Sequence, residues 1–313
     1  MNKILLVDVD SKIPNIALMK LSTYYKKQDY IVDIVKCNLS YSPSRSNELK
    51  KINAIGYDKV LVSVIFTNTL KKLQIHFNDN IEIGGTGYSL DKKLPDNIQQ
   101  SICDYSLYPE NDTAYGFISR GCIRNCSFCF VPKKEGKLYQ ENNIDDIIQP
   151  QFKQVKFLDN NFLALLNHKE ILKELVDRKI KYQFNQGIDI RLLDDENAEL
   201  LCDSNYLGDY IFAFDNISYE SIINKKLELF KKYFNRKCGY GIKFFIYCHP
   251  DMNITDDVMY RINWCKNNKV LPYLMRHIDC WQSKNKKLYI QLARWCNQPN
   301  IFKKMTFEEF NKK

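Results

Sequence analysis

Short apolar runs alternate with amphipathic stretches along most of the chain. In the first hundred residues, "KILLVDV" (3–9), "YIVDIV" (30–35), "KVLVSVIF" (59–66) and "IEIGG" (81–85) read as strands. They are short, rich in Val and Ile, and apolar on both faces, the signature of strands buried in a parallel sheet. Between the first two, Pro14 precedes "NIALMKLSTYYKKQ" (15–28), whose apolar positions recur at helical spacing. Strands separated by loop or helix signals predict an α/β fold, with a small Rossmann-like, doubly wound domain over 1–98. Ligands of such sheets sit beyond the carboxyl ends of the strands. That rule puts Asp8, Asp10, Ser11, Pro14 and Asn15 of "DVDSKIPN" at a functional edge, together with "GGTGY" (84–88). Two carboxylates and an amide there suit either a substrate or the cap of the next helix. "GGTGY" lacks the spacing of a dinucleotide loop and reads as a glycine turn.

A second alternating series covers 114–278. Its strands are "AYGFIS", "QVKFLD", "KYQFN", "YIFAFD", "IKFFIYC" and "VLPYLM", with helical segments such as "HKEILKELVDRK" and "DDENAELLCDS" between them. Acidic residues fall in the first turns of these helices, where the helix dipole favours them. Six strand–helix units predict a partial (β/α)6 barrel with its active site at the carboxyl ends of the strands. The stretch 99–113 is polar and turn-rich and reads as a linker. The aromatic tail 279–313 is expected to close the barrel. No internal repeat or low-complexity tract is present.

Composition narrows the class. Of 313 residues, 45% are hydrophobic and 27% charged, the balance of a globular protein. No apolar run approaches the roughly 20 residues that cross a bilayer, and "MNKILLVDVDSK" turns acidic too soon for a signal peptide. A cytoplasmic protein without a membrane partner is expected. Eleven cysteines, an odd number, then read as metal ligands and buried thiols rather than disulfides. The net charge of +9 comes from lysine pairs scattered among acids, so it argues only weakly for nucleic acid.

The densest chemistry is "SRGCIRNCSFCF", with Cys122, Cys126 and Cys129 in one loop after a strand. A structural zinc site needs a second cysteine pair. Cys202, Cys238, Cys248, Cys265, Cys280 and Cys296 stand alone, and the loop carries no general base for a catalytic zinc. Three thiolates instead fit a [4Fe–4S] cluster that leaves one iron open to a small bidentate ligand.

This CxxxCxxC loop, set after the first strand of a barrel-like series, resembles that of radical S-adenosylmethionine (SAM) enzymes. The resemblance implies that the open iron binds the amino and carboxylate groups of SAM. It also implies a 5′-deoxyadenosyl radical that abstracts hydrogen from substrate, and an electron donor such as flavodoxin or ferredoxin. Carried over by position, Phe128 packs near adenine, and Asp159, Asn160 and Asn161 of "LDNNF" are candidates for the methionine amino group. The family's glycine-glycine-glutamate form is absent there. Asn185, Gln186, Asp189 and Arg191 of "FNQGIDIRL" are candidates for ribose and carboxylate, Arg191 as a bidentate fork. Tyr247 is a further candidate near adenine.

The lone early histidine, His76, does not match a cobalamin motif. The two cysteines before the loop, Cys37 and Cys103, cannot hold a second cluster. "VDVDSKIPNIALMKLS", "IGGTGYSL", "RGCIRNCSFC", "LDNNFLA" and "FNQGIDIRL" together resemble a compact bacterial radical SAM group that includes queuine lyase. That resemblance implies a small 7-deazaguanine substrate. Asp8 or Asp10 would accept its N–H donors and Asn15 or a backbone N–H would meet its carbonyl. Asp215 or His249 would bind vicinal hydroxyls, and Arg276 is placed to hold a substrate oxygen. RNA or another macromolecule is the alternative substrate class. His249 and His277 each follow a strand, as either catalytic acids or backbone-bonded histidines.

Overall fold

A computed structural model describes residues 2–39, 49–67, 69–77, 79, 81–235 and 241–312. Cys238 lies outside the described residues. The chain is a mixed α/β protein with parallel sheets, and it divides into two compact units. One comprises Met1–Gly116, Arg124–Lys137 and Asn142–Phe152; the other comprises Phe117–Ile123, Leu138–Glu141 and Lys153–Lys313.

In the first unit, β1 (Lys3–Val9), β2 (Ile31–Cys37), β4 (Lys59–Val64) and β6 (Ile81–Gly84) form a parallel sheet in the order β2-β1-β4-β6. β1 lies between two neighbours and is buried along its length after Lys3, which is why its sequence is apolar on both faces. Its core gathers Leu5, Val7, Val9, Val60, Val62 and Val64. Helix α1 (Ile16–Lys26) follows β1, and Asn15 caps it by accepting the Leu18 N–H at 3.2 Å. β3 (Lys50–Asn53), between β2 and β4 in the chain, pairs in parallel with β5 (Leu73–His76), between β4 and β6, as a second, two-stranded sheet. The alternating pattern of the sequence gave no sign of that pair.

The stretch 99–113 is built into this unit. It follows the short helix α2 (Asp96–Gln99). Asp104 accepts from Ser22 Oγ at 2.6 Å and pairs with Lys26 at 2.7 Å, and Tyr108 donates its hydroxyl to Asp8 at 2.9 Å. β7 (Ala114–Gly116), α3 (Val131–Lys134) and α4 (Ile144–Ile147) complete the unit.

In the second unit, β8 (Ser119–Arg120) and β9 (Tyr139–Gln140) form a small antiparallel pair. β10 (Gln154–Phe157) pairs in parallel with β11 (Lys181–Phe184), and β12 (Tyr210–Ala213), β13 (Ile242–Cys248) and β14 (Leu271–Arg276) form a parallel sheet in that order. A bridge between Tyr182 and Tyr206 and a 2.7 Å bond from Ile188 N–H to the Ile211 carbonyl connect β11 to the β12 region. Helices α5 (His168–Asp177), α6 (Asp195–Asp203), α7 (Glu220–Tyr233) and α8 (Tyr260–Asn267) intervene between the strands. Alternate strand residues (Tyr182, Phe184, Tyr210, Phe212, Phe244) are fully buried with Phe230 of α7. Each such ring contributes about 2–3 kcal/mol by burial. Their neighbours on the other strand face, including Phe245, Tyr247 and Tyr273, are half-buried or exposed. The aromatic tail becomes α9 (Lys286–Cys296), α10 (Pro299–Lys304) and α11 (Phe307–Asn311). Asn297 bonds both the N–H and the carbonyl of Leu274 and so satisfies the outer edge of β14.

Candidate functional site

At the carboxyl edge of the first unit's sheet, the chain leaves β1 through Asp10, whose φ of 65° is a left-handed turn that aspartate tolerates. Asp10 Oδ1 accepts the Leu39 N–H at 2.5 Å, and Asp8 Oδ2 accepts the Tyr108 hydroxyl. Both carboxylates are buried. Asp8 Oδ1 and Asp10 Oδ2 have no hydrogen-bond partner among the described residues. Asn15 spends its amide on the Ser11 and Ser63 hydroxyls at 3.0 and 2.8 Å while its oxygen caps α1, and Pro14 is buried beside it. For Asn15 the capping role is realised; the two aspartates do not cap the helix.

The "GGTGY" turn needs its glycines. Gly85 has φ 94°, and a Cβ there would lie 2.4 Å from the Val64 carbonyl oxygen; at Gly87 it would lie 2.5 Å from the Phe66 nitrogen. Lys134, five residues past Cys129, donates to the Thr86 hydroxyl of this turn.

In the second unit the polar residues gather at the carboxyl ends of β10 to β14. Asp159 is buried, and its carboxylate accepts from Ile118 N–H (3.1 Å), Ser119 N–H (2.6 Å) and Ser119 Oγ (2.6 Å). Burial pushes it up to about 6 against the pull of those donors. It thereby fastens the backbone three residues before Cys122. Asn161 Nδ2 lies 3.4 Å from Cys122 Sγ and 3.4 Å from Asp189 Oδ2. The Oδ1 atoms of Asn160 and Asn161 are buried without a partner among the described residues.

Arg191 turns its guanidinium onto Asp189, with Nε–Oδ1 2.7 Å and Nη2–Oδ2 3.0 Å, and lies 4.8 Å above the Tyr219 ring. The fork expected to meet a ligand carboxylate is thus closed on Asp189, two residues earlier in the chain. Asp215 accepts the Tyr247 N–H at 3.0 Å, and burial pushes it up to about 6. Asn185 is tied by its N–H to the Phe157 carbonyl, and Asn185 and Gln186 are exposed. Arg276 stacks 4.4 Å over Trp281.

In the cysteine loop, the Cys129 N–H donates to the Cys126 carbonyl at 3.0 Å. Cys122, Cys126 and Cys129 are half-buried, and Phe128 is 39% exposed.

Arg261 was not singled out in the sequence. It is fully buried in α8 and donates to the Phe214 carbonyl (2.8 Å) and the Tyr247 carbonyl (3.0 Å), with Asp257 as counter-ion at 2.5 Å. It ties the ends of β12 and β13 together and so positions Asp215 and Tyr247. The i,i+4 acid is the only local signal, and surface pairs carry the same one. Tyr108, which partners Asp8, was hidden in the presumed linker. A cavity of about 370 Å³ in the first unit, lined by Cys103, Tyr105, Tyr108, Gln149 and Phe152 among others, includes none of the residues picked from the sequence.

No protein-family model matches the chain, and no curated protein matches it. The functional reading therefore rests on residue chemistry and geometry.

Proposed function

We propose that this protein is a radical SAM enzyme whose [4Fe–4S] cluster is held by Cys122, Cys126 and Cys129. One observation carries the reading: the CxxxCxxC loop begins beside a polar strand edge, with the Asn161 amide 3.4 Å from Cys122 Sγ. The donor set fits the group. The three thiols lie half-buried in one loop, and an amide N–H beside a cluster sulfur is the kind of neighbour that tunes such sites. When bound, the cluster and SAM supply reductive cleavage of a carbon–sulfur bond and a hydrogen-abstracting radical.

The chain's own residues hold and orient. On this reading the parallel strands of the second unit belong to a partial (β/α)6 barrel, and the first unit's sheet is Rossmann-like. Asp159 anchors the root of the loop, Asn160 and Asn161 bind the methionine end of SAM, and the Asp189–Arg191 pair meets its polar groups. Phe128 and Tyr247 supply rings for the adenine. The working site is cytoplasmic and draws electrons from a flavodoxin- or ferredoxin-like donor.

The preferred substrate is queuine, cleaved at its exocyclic C–N bond to release 7-aminomethyl-7-deazaguanine. Asp8 Oδ1 and Asp10 Oδ2 support a nitrogen-rich heterocycle, because buried acceptors without partners are costly until an N–H donor meets them. The test is anaerobic incubation of reconstituted protein with SAM, reductant and queuine, followed by mass spectrometry. 7-Aminomethyl-7-deazaguanine together with 5′-deoxyadenosine supports the reading. 5′-Deoxyadenosine alone keeps the radical chemistry and removes queuine as substrate.

A further inference from the structure

One cluster of ligating side chains meets at the ends of β13 and β14, where His277 Nδ1 also accepts the Asp279 N–H at 3.4 Å. β13 and β14 are parallel and in register, Tyr247 opposite Met275 and Cys248 opposite Arg276. The next residue on each strand end is a histidine, and the register sets His249 beside His277, with ring centroids 4.8 Å apart. A 2.8 Å bond from the His277 N–H to the Cys248 carbonyl fixes this juxtaposition. The turn after β14 brings in Asp279. Its Oδ2 lies 3.4 Å from His249 Nε2 and 3.4 Å from His277 Nδ1.

Those distances discriminate. A hydrogen bond between a ring nitrogen and a carboxylate is about 2.7–3.2 Å long, so 3.4 Å is poor for one and is found here twice on the same oxygen. Ligands about 2.0–2.1 Å from a tetrahedral ion are separated by about 3.3–3.4 Å. The three ligand atoms lie within 4.8 Å of one another, so a modest rotation of the half-exposed rings closes the set. His249 has the outer partner that metal-bound histidines have. Its Nδ1 is 3.4 Å from Asp251 Oδ2, and a proton on Nδ1 facing that carboxylate leaves Nε2 free to ligate. The same Nδ1 accepts the Asp251 N–H at 3.2 Å, so binding would exchange one Asp251 partner for the other.

We propose that His249, His277 and Asp279 bind a divalent transition-metal ion of the zinc class, separately from the cysteine loop. Two imidazoles and one carboxylate form a three-ligand set of the type that keeps a fourth position open. Asp279 is 53% exposed, so that position is reached by water or by an oxygen ligand from solution.

The test uses the full-length chain and its Cys122→Ala/Cys126→Ala/Cys129→Ala variant, titrated with Co2+ as a spectroscopic stand-in and then with Zn2+. The triple cysteine variant is expected to bind one Co2+ with the visible absorption of a four-coordinate nitrogen/oxygen site, displaced by Zn2+, and the full-length chain to show the same component. His249→Ala, His277→Ala and Asp279→Ala should each weaken binding at least about tenfold, and Asp251→Asn about tenfold through the outer partner. If an alanine variant fails to fold, His277→Gln and Asp279→Asn take its place. Unchanged affinity in the folded Asp279 variant overturns the proposal. So does thiolate-to-cobalt absorption in the triple cysteine variant, or loss of the nitrogen/oxygen site in that variant.

Discussion

Replacing Asp159 with alanine removes the acceptor for three donors, Ile118 N–H, Ser119 N–H and Ser119 Oγ, all within 3.1 Å. Each buried donor left unmet costs about 1–2 kcal/mol, so the gross loss is about 3–6 kcal/mol. Ionisation works against the native residue. Burial lifts its pKa from 3.8 to about 6. At about 1.36 kcal/mol per unit, the ionised carboxylate carries about 3 kcal/mol that the protonated one does not. The sign follows. Between pH 4 and 6 the folded chain holds a proton that the unfolded chain has released, so this residue's stabilisation is largest below pH 4 and falls as pH rises through 6. Urea unfolding of the wild type and Asp159→Ala, followed by tryptophan fluorescence, measures both effects. The variant should be less stable by several kcal/mol at pH 4, and the gap should shrink by about 3 kcal/mol at pH 7. A gap under about 0.5 kcal/mol at pH 4, or one that widens with pH, refutes the reasoning.

Other substitutions probe separate links. Arg261→Met removes the tie between the Phe214 and Tyr247 carbonyls and strands Asp257, for a loss of about 3–5 kcal/mol by denaturant unfolding, with Arg261→Lys recovering part of it. Gly85→Ala forces a Cβ to within 2.4 Å of the Val64 carbonyl at φ 94°, and thermal unfolding should show a loss of at least about 1–3 kcal/mol. Asn161→Ala takes the amide from Cys122 Sγ, and redox titration of the reconstituted cluster should show a shifted potential with iron content retained. If RNA is the substrate instead, its affinity should drop steeply between low and moderate salt; affinity that ignores salt excludes docking through the +9 charge.

β1 and β4 were legible because burial on both faces demands nearly uninterrupted apolar residues, as in "KILLVDV". β3 and β5 were not, since "KKIN" and "LQIH" carry too few apolar positions to set a period. The strand-end residues were legible as candidates, but their pairings were not. That Arg191 would close on Asp189, or that Asn15 would divide its amide between Ser11 and Ser63, depends on side-chain directions that no spacing encodes. His249 and His277 are far apart in sequence and meet only through the β13–β14 register. Asp104 and Tyr108 looked like linker residues because their partners, Ser22, Lys26 and Asp8, come from the start of the chain.

The central claim is that the three loop cysteines serve SAM cleavage. Its most direct measurement is 5′-deoxyadenosine formation by anaerobically reconstituted, reduced protein given SAM alone. The account predicts four irons per chain and slow 5′-deoxyadenosine release, both abolished in Cys126→Ala. Iron-free protein that binds zinc at these cysteines, or a reconstituted cluster that leaves SAM intact, would contradict it.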